Sequence, residues 1–365
     1  MLHHMSQDEN NSAICPISLF NSLAMVYAGT SGKNAKEIEK VLNIESDSTV
    51  LLENIKQLLN RIKTFENTYH KFIRIPSRIF YNRNDNLKNN YIKLITKCFG
   101  QNCKPEGITC KDTSAMQINE WIRRETNNRI LQIVLAYQLN QSLKLILCSA
   151  FYFRTDWKYP FKKERTRRNY FYINPNNRIY IPFMAKLRQF RYRDDTDLAC
   201  EIVELPFGHG LCMYILLPHQ INGLNSLCQR IDFTTIEMIT SSLQFRDMQV
   251  FLPRFRIHYQ YDPLKTLQSI GMIKAFRERH DNVAFGRMTN NLKYSISMIN
   301  HEIIIDVNEG PQLPKKLPKN LPNQPYWYYD ILTNEIYTME SSIDYNNPGY
   351  VRWYNYSLLL FFIRY

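Results

Sequence analysis

Apolar residues follow a helical spacing in the first third of the chain and a strand spacing in most of the rest. Residues 17–28 are almost all apolar, which predicts a buried helix that ends at Gly29. Further helices are predicted over 31–42 and 52–63. Residues 114–125 predict an amphipathic helix. Its apolar stripe consists of Ile118, Trp121 and Ile122.

Strand patterns dominate after this point. Residues 143–153 are apolar at nearly every position, as is typical of a strand covered on both faces. The segments 200–207 and 211–218 flank a short glycine-containing turn and predict a hairpin. Residues 249–257 predict another strand, and its internal Pro253 indicates an edge or a bulge.

Residues 295–308 alternate with a period of two, which predicts a half-buried strand. His301 shares the apolar face, and Glu302 lies on the other. A short helix at 261–272 precedes this strand. Helices followed by many strands predict an α+β fold with a large sheet. Because no linker or internal repeat interrupts the chain, residues 1–365 are expected to form one domain.

The chain is basic, with 46 Lys and Arg against 33 Asp and Glu and a net charge of +13. This charge indicates either an ordinary soluble basic surface or a patch that binds nucleic acid, glycosaminoglycan or an acidic partner. No nucleic-acid motif or regular pattern of stacking aromatic residues accompanies the basic clusters. The densest cluster, a possible polyanion patch, contains Lys162, Lys163, Arg165, Arg167 and Arg168.

Eight cysteines are present without a C-x-x-C pair, so a zinc site or redox dithiol is not expected. A disulfide is possible among Cys98, Cys103 and Cys110, which lie in a loop-like region. No hydrolase, phosphate-binding or dinucleotide motif occurs, so we expect neither enzyme activity nor a cofactor. Four other cysteines are predicted to be small buried residues: Cys15, Cys148, Cys200 and Cys212.

The sequence alone does not determine the cellular compartment. The N-terminal residues lack the pattern of a signal peptide, and no apolar run is long enough to span a membrane. Sequons for N-glycosylation begin at Asn10, Asn140 and Asn355.

An ordered set of runs resembles the serpin family. ICPISLFNSLAMVYAGTSGKNAKEI resembles FSPxSIxxALAMxxxGAxGxTxxEI, INEWIRRETNNRI resembles INxWVxxxTxGKI, and LILCSAFYFRTDWKYPF resembles LVLVNAIYFKGxWxxPF. IVELPF, MYILLP, FLPRFRI and LQSIGM follow in the family's order. The match covers about 13–310 and then 359–364. It implies eight or nine helices around three β-sheets, with 311–358 as an extended, exposed reactive-centre loop.

The resemblance implies a monomeric, extracellular serine protease inhibitor, although a cytoplasmic location stays open. In such inhibitors the target protease cuts a bait loop and is trapped when that loop inserts into the main sheet. The implied hinge is Val307, Asn308, Glu309, Gly310 and Pro311. The implied control of sheet opening lies at Cys15, Ser18, Ser149 and His301, where the family usually has Ser, Ser, Asn and His, and at Trp157.

The segment after Gly310 departs from the family pattern. Proline lacks the N–H that a middle strand must donate, and one of two adjacent lysines would face the interior. The sequence therefore predicts that this segment does not insert, which favours a non-inhibitory scaffold that binds, carries or chaperones a partner. The residues concerned are Pro311, Pro314, Lys315, Lys316, Pro318, Pro322 and Pro325.

The bait bond is ambiguous for the same reason. Counting forward from the hinge reaches Gln324, followed by Pro325, whereas counting back from the last strand reaches Asn347, followed by Pro348. The difference indicates an insertion of about twenty residues in the loop, on the family's usual spacing. Compared with the family, both termini are expected to be shortened.

Overall fold

The computed structural model divides the described residues into two compact units. One lies within Asn10–Arg154 and Arg256–Asp306, and the other within Thr155–Phe255 and Val307–Tyr365. The expectation of one domain over 1–365 stays a prediction. The described residues are 11–44, 53–54, 56–57, 60–61, 64, 73–109, 111–140, 142–208, 211–277, 283–310, 327–329, 336–338, 351–354 and 360–364.

The helices and strands have the following bounds within these ranges. The α-helices are α1 (Pro16–Ala28), α2 (Gly32–Leu42), α3 (Asn89–Phe99), α4 (Lys111–Glu125), α5 (Leu224–Arg230), α6 (Phe233–Ser242) and α7 (Leu264–Ser269). The β-strands are β1 (Ile73–Arg74), β2 (Ser77–Asn82), β3 (Glu106–Ile108), β4 (Leu145–Arg154), β5 (Arg167–Asn174), β6 (Asn177–Asp195), β7 (Cys200–Pro206), β8 (Cys212–Pro218), β9 (Gln244–Pro253), β10 (Phe255–Tyr261), β11 (Ile296–Val307), β12 (Trp327–Tyr329), β13 (Ile336–Thr338), β14 (Val351–Tyr354) and β15 (Leu360–Arg364).

The helix predictions in the first unit are confirmed where residues are described. Helix α1 begins at Pro16, whose missing N–H costs nothing at a first helical position, and its C-cap is Gly29. Helix α4 buries its predicted stripe almost completely. Of the predicted helix 52–63, the described residues 53–54, 56–57 and 60–61 are helical.

One sheet of the first unit has the strand order β10-β11-β4-β2-β3, with β1 paired to β4. Strands β4 and β11 run parallel, from Ile296 opposite Leu145 to Asp306 opposite Arg154. Strand β2 is antiparallel to β4 on its other side. The apolar stretch 143–153 therefore lies inside a sheet, as its composition predicts.

The prediction that 295–308 is half-buried is wrong, because β11 is buried on both faces. Asn300 and Glu302, on its polar face, are only 6% and 1% exposed. One face packs with Ile299 in a core that includes α1, and the other packs with Ile304 in a core that includes α4. An interior strand of a sheet that is covered on both sides has no solvent-exposed face for its polar residues.

A sheet of the second unit has the order β14-β9-β6-β7-β8-β15, with β5 paired to β6. Strands β7 and β8 form the predicted hairpin. Residues 249–257 are not one strand: β9 ends at Pro253, β10 begins at Phe255, and the two belong to different sheets. The proline thus terminates an interior strand instead of marking an edge.

Two cysteine predictions need correction. Cys98 lies in helix α3, not in a loop, and no disulfide joins it to Cys103. Cys110 lies outside the described residues. Cys15, Cys148 and Cys200 are buried as predicted, whereas Cys212 is partly exposed.

Candidate functional site

Asn308, which follows strand β11 in the chain, is bonded to two side chains of its own unit, the second. The main-chain carbonyl of Asn308 accepts hydrogen bonds from Trp157 Nε1 at 2.7 Å and from Thr155 Oγ1 at 3.1 Å. Thr155 Oγ1 also accepts from the Asn308 N–H at 3.1 Å. Trp157 is itself held between Phe207, stacked at 4.8 Å, and Phe161, edge-on at 5.5 Å. Residues just beyond β4 in the chain therefore hold the start of the implied hinge.

The next hinge residue, Glu309, is a buried carboxylate with partners. Its Oε1 accepts from Thr166 Oγ1 at 3.0 Å and forms an ion pair with Arg254 at 3.4 Å. Its main-chain carbonyl accepts from the Phe161 N–H at 2.9 Å. The segment can move only if these contacts break. Breaking them is costly while the carboxylate of Glu309 remains buried, because a buried carboxylate without partners is unfavourable.

Gly310 adopts a conformation that only glycine adopts easily. Its φ is +79°, and a Cβ built there would lie 3.0 Å from Trp157 Cδ1. Its N–H donates to Asn308 Oδ1 at 2.9 Å, which closes a tight turn after the strand. The hinge glycine is therefore required by both backbone strain and the packing of Trp157.

The remaining predicted hinge and bait positions lie outside the described residues: Pro311, Gln324, Pro325, Asn347 and Pro348. The predicted return of the chain at 359–364 is confirmed by strand β15, which pairs antiparallel with β8. Strand β14 precedes it and runs parallel to β9.

The first unit brings together the four residues implied in sheet opening. His301 of β11 lies directly opposite Ser149 of β4, and its Nδ1 is 2.8 Å from Ser149 Oγ. The main-chain N–H of Cys15 donates to His301 Nε2 at 3.2 Å. Ser18 Oγ of α1 lies 3.5 Å from Nδ1 and donates to the Cys15 carbonyl at 3.2 Å. One imidazole thus bridges two strands and the start of a helix.

The hydrogen bonds of His301 define its tautomer. Because a main-chain N–H can only donate, Nε2 must be the acceptor, and the ring proton then lies on Nδ1 facing Ser149. The imidazole is completely buried. Burial lowers the pKa of His301 to about 4. The ring is therefore neutral at pH 7, and protonation would remove the acceptor for Cys15.

The sequence did not indicate a second buried ionisable group on β11. Glu302 has a side chain 2% exposed, and its Oε1 is hydrogen-bonded to Nε2 of His258 on the adjacent strand β10. Burial raises the pKa of Glu302, and His258 lowers it. The alternation of apolar and polar residues predicted a solvent-exposed face for Glu302. Its pairing with His258 becomes visible only when the neighbouring strand β10 is known.

Replacing His258 with alanine is expected to destabilise the protein by about 2 kcal/mol at pH 7.5, because a buried carboxylate loses its charged hydrogen bond. Since the pKa of Glu302 is raised, its protonated form is favoured in the folded protein, and the loss should shrink at pH 4.5. Denaturant unfolding at both pH values measures this. The matched control is His219→Ala, whose partner Asp194 is 56% exposed and for which we expect about 0–1 kcal/mol. Equal losses in both variants would contradict the expectation.

The sequence analysis did not identify four residues that contact the hinge: Thr155, Phe161, Thr166 and Arg254. They contact the hinge through hydroxyl, main-chain or guanidinium groups, and none carries a motif of its own. Thr155 lies two residues before Trp157 in the chain, and this proximity could have indicated its contact with the hinge. The others depend on tertiary contacts.

Thiol and metal chemistry find little support in the described parts of the chain. Burial raises the pKa of Cys200 to about 12, and burial followed by the charge of Glu204 raises that of Cys212 to about 11, so both thiols stay protonated at pH 7. Cys15 contacts His301 through its main-chain N–H.

The described residues contain no cluster of three or more His, Cys, Asp or Glu suited to a metal ion. Nor is any described helix long and apolar enough to cross a bilayer.

Comparison with known proteins agrees with this architecture. A family model described as serpin (serine protease inhibitor) matches residues 1–313. The serine protease inhibitor 42Dd of Drosophila melanogaster is 25% identical over 306 residues, which cover 83% of this chain and 80% of the relative. The leukocyte elastase inhibitor of Xenopus laevis is 27% identical over 312 residues, with coverages of 83% and 82%.

A solved structure shows the same fold. The crystal structure of Serpin48, a highly specific serpin of the insect Tenebrio molitor, superposes with a TM-score of 0.80 at 21% identity and covers 100% of this chain and 90% of that one. Together with the family match over most of the chain, the α+β architecture and the ordered strands lead to one conclusion: this chain belongs to the serpin family.

Proposed function

We propose that this serpin is a serine protease inhibitor that offers the residues after Gly310 as bait and traps its target inefficiently. The observation that carries the proposal is the parallel pairing of β4 and β11 inside their sheet. The leukocyte elastase inhibitor among its relatives supports a serine protease as the partner.

The parallel pair offers a place for one more strand. A segment that follows β11 through a tight turn returns antiparallel to it, and between β4 and β11 it would be antiparallel to both. One parallel ladder would be replaced by two antiparallel ladders, which are slightly more stable per residue. Cleavage of the bait would release the segment to take this position.

Two sets of contacts would hold the starting state, in our proposal. His301 and Ser149 join β11 to β4, and the bonds to Cys15 and Ser18 tie the same ring to α1. Trp157 and Thr155 hold Asn308 at the end of the strand. Insertion requires the first set to part.

A non-inhibitory scaffold is the second candidate, and the sequence after Gly310 favours it. Pro314, Pro318 and Pro322 cannot donate ladder hydrogen bonds. Because both faces of β11 are buried, adjacent lysines in a strand beside it would put an ammonium into each core. Each uncompensated charge costs several kcal/mol, so trapping must compete poorly with release of the cleaved protein.

The test is incubation of the full chain with trypsin-, chymotrypsin- and elastase-like proteases. We expect an SDS-resistant complex with at least one of them, accompanied by an excess of cleaved, uncomplexed serpin. Complete cleavage without any such complex would favour the scaffold. Since the matching family model describes a serine protease inhibitor and not an enzyme, we also propose that the chain has no catalytic activity of its own.

We propose that the mature protein is an extracellular glycoprotein. Asn140 is exposed, and its side chain lies in a turn with Ser142, the third residue of its sequon. Secreted protein should therefore lose mass on treatment with an N-glycosidase, and Asn140→Gln should lose one glycan. An unchanged mass in the wild type would instead support a cytoplasmic location.

A polyanion, such as a glycosaminoglycan, is a further proposed partner for the basic cluster. All five of its residues are exposed: Lys162, Lys163, Arg165, Arg167 and Arg168. Retention on an anionic matrix that falls steeply with salt would support this partner, and elution at low salt would contradict it.

A further inference from the structure

Strand β11 contains an irregularity close to its start. Two consecutive residues of β4 lie opposite Ile296 and Met298 of β11, so Ser297 between them is an additional residue. Such an additional residue makes a β-bulge. The hydroxyl oxygen of Ser297 accepts a hydrogen bond at 2.9 Å from the main-chain N–H of Lys144, which directly precedes β4. A side-chain oxygen therefore supplies the acceptor at the point where the two strands begin.

The main-chain carbonyl of Lys144 is bonded as well. It accepts from the N–H of Asn82 on β2 at 3.0 Å and from the hydroxyl of Tyr294 at 3.4 Å. Tyr294 is completely buried and lies two residues before β11. The peptide groups of Lys144 thus join β2, β4 and the start of β11. Its carbonyl has two partners, whereas its N–H is bonded to Ser297.

A buried carboxylate connects the same two strands. Asp85 ends a short 3₁₀ helix that follows β2, and its side chain is 8% exposed. Its Oδ1 forms an ion pair with Lys144 Nζ at 3.5 Å and accepts from Nδ2 of Asn291, a residue shortly before β11, at 2.7 Å. Its Oδ2 is buried and has no hydrogen-bond partner among the described residues. Because a buried charge without partners is costly, Asp85 resists separation from both neighbours.

We propose that these contacts form a latch at the start of β4 and β11, and that this start latch is the last part of the sheet to open. It consists of Asp85, Lys144, Asn291, Tyr294 and Ser297. At about 3.3 Å per residue, Ser297 lies roughly 13 Å from His301 and roughly 33 Å from Val307 along β11. The start latch is therefore separate from the contacts of His301. Its existence does not depend on inhibition, but its part in trapping rests on the proposed function.

The order of opening follows from the end at which a strand would enter. The segment after Gly310 continues from the far end of β11, so an inserting strand would separate β4 from β11 from that end toward Ser297. The contacts of His301 would break first, and the start latch would break last. A strand that stopped before the start latch would fill only part of the sheet and would move an attached protease over a shorter distance. The start latch should therefore influence how much protease is trapped.

Ser297 stabilises the closed sheet in particular. In the closed sheet, the N–H of Lys144 donates to the Ser297 hydroxyl. A strand between β4 and β11 would offer main-chain carbonyls to β4, so the same N–H could bond to one of them instead. Removing the hydroxyl therefore raises the free energy of the closed sheet more than that of the opened sheet. Separation should become about tenfold more favourable, which corresponds to ~1.4 kcal/mol for one lost hydrogen bond.

Hydrogen exchange measured by mass spectrometry on the uncleaved full chain tests the start latch. In Ser297→Ala, exchange of a peptide spanning 296–300 should rise about tenfold, whereas that of the β7–β8 hairpin should not change. Ser297→Thr keeps the hydroxyl and should exchange like the wild type. The matched control is Ser241→Ala, whose hydroxyl donates to Glu237 and Met238 carbonyls within helix α6. This control should leave exchange at 296–300 unchanged.

Two results would overturn the start latch. One is unchanged exchange at 296–300 in Ser297→Ala, and the other is an equal rise in that peptide and in the β7–β8 hairpin, which indicates a global loss of stability.

The part of the start latch in trapping is measured with a protease that forms an SDS-resistant complex. Ser297→Ala should raise the ratio of complex to cleaved serpin by as much as about tenfold, and Ser297→Thr should not. Faster exchange with an unchanged ratio would overturn the part in trapping. If no protease forms a complex with any of the proteins, the proposed inhibition fails, and hydrogen exchange still decides whether the start latch exists.

Discussion

Replacing Pro314, Pro318 and Pro322 together with alanine is expected to raise the ratio of SDS-resistant protease complex to cleaved serpin by roughly a hundredfold. Each alanine restores one main-chain N–H to the inserted strand. A donor missing opposite a buried carbonyl costs about 1 kcal/mol or more, so three restored donors contribute about 3 kcal/mol. A difference of 1.4 kcal/mol is about tenfold in rate.

The spacing of these prolines concentrates their effect on one ladder. They lie four residues apart, and alternate residues of a strand direct their N–H groups to the same neighbour. All three missing donors would therefore face one ladder, with either β4 or β11. Single replacements should accordingly produce much smaller changes than the triple replacement.

The control for this experiment is Pro175→Ala, an exposed turn residue between β5 and β6. It should leave the ratio unchanged. Quantitative gel densitometry with a fixed amount of protease measures both products. A triple variant that is cleaved without more complex than the wild type would show that the prolines do not limit trapping.

Lowering the pH from 7 to 4 is expected to remove about 3 kcal/mol of stability through His301 alone. Its pKa is about 4 in the folded protein and 6.5 as an ordinary histidine, and each unit corresponds to about 1.4 kcal/mol. Because the unfolded chain binds the proton first, this contribution is complete above pH 6.5 and is lost as the pH falls toward 4.

Denaturant unfolding of the wild type and of His301→Gln at pH 7, 5.5 and 4.5 measures this contribution. The variant should be less stable at pH 7, and its stability should change less with pH because the imidazole is absent. Carboxylates titrate in both proteins, so the difference between the two curves isolates His301. If the stabilities of the two proteins changed with pH in parallel, this would contradict a buried neutral imidazole at His301.

Hydrophobic spacing predicted the fold well for elements whose surroundings are the same along their whole length. Helix α4 and the β7–β8 hairpin agree with the pattern of their residues. Strand β11 was located correctly, but its burial was not, because alternation cannot reveal that helices cover both faces of a sheet. The break at Pro253 was also missed, since composition does not show that consecutive strands belong to different sheets.

The candidate site could be predicted in part. The resemblance brought Cys15, Ser18, Ser149 and His301 together, and the structure places them around one imidazole. It could not indicate that Cys15 contacts His301 through its main-chain N–H. Nor could it identify Arg254 or Thr166 as partners of Glu309, because these contacts depend on how distant parts of the second unit pack.

The central claim is that β4 and β11 separate to admit a strand once the bait is cut. A crystal structure of the cleaved Pro314→Ala, Pro318→Ala, Pro322→Ala variant tests it most directly. We expect a new antiparallel strand between them, which would move Ser149 and His301, now hydrogen-bonded at 2.8 Å, to strands about 10 Å apart. A cleaved protein in which His301 still lies directly opposite Ser149 would contradict the account.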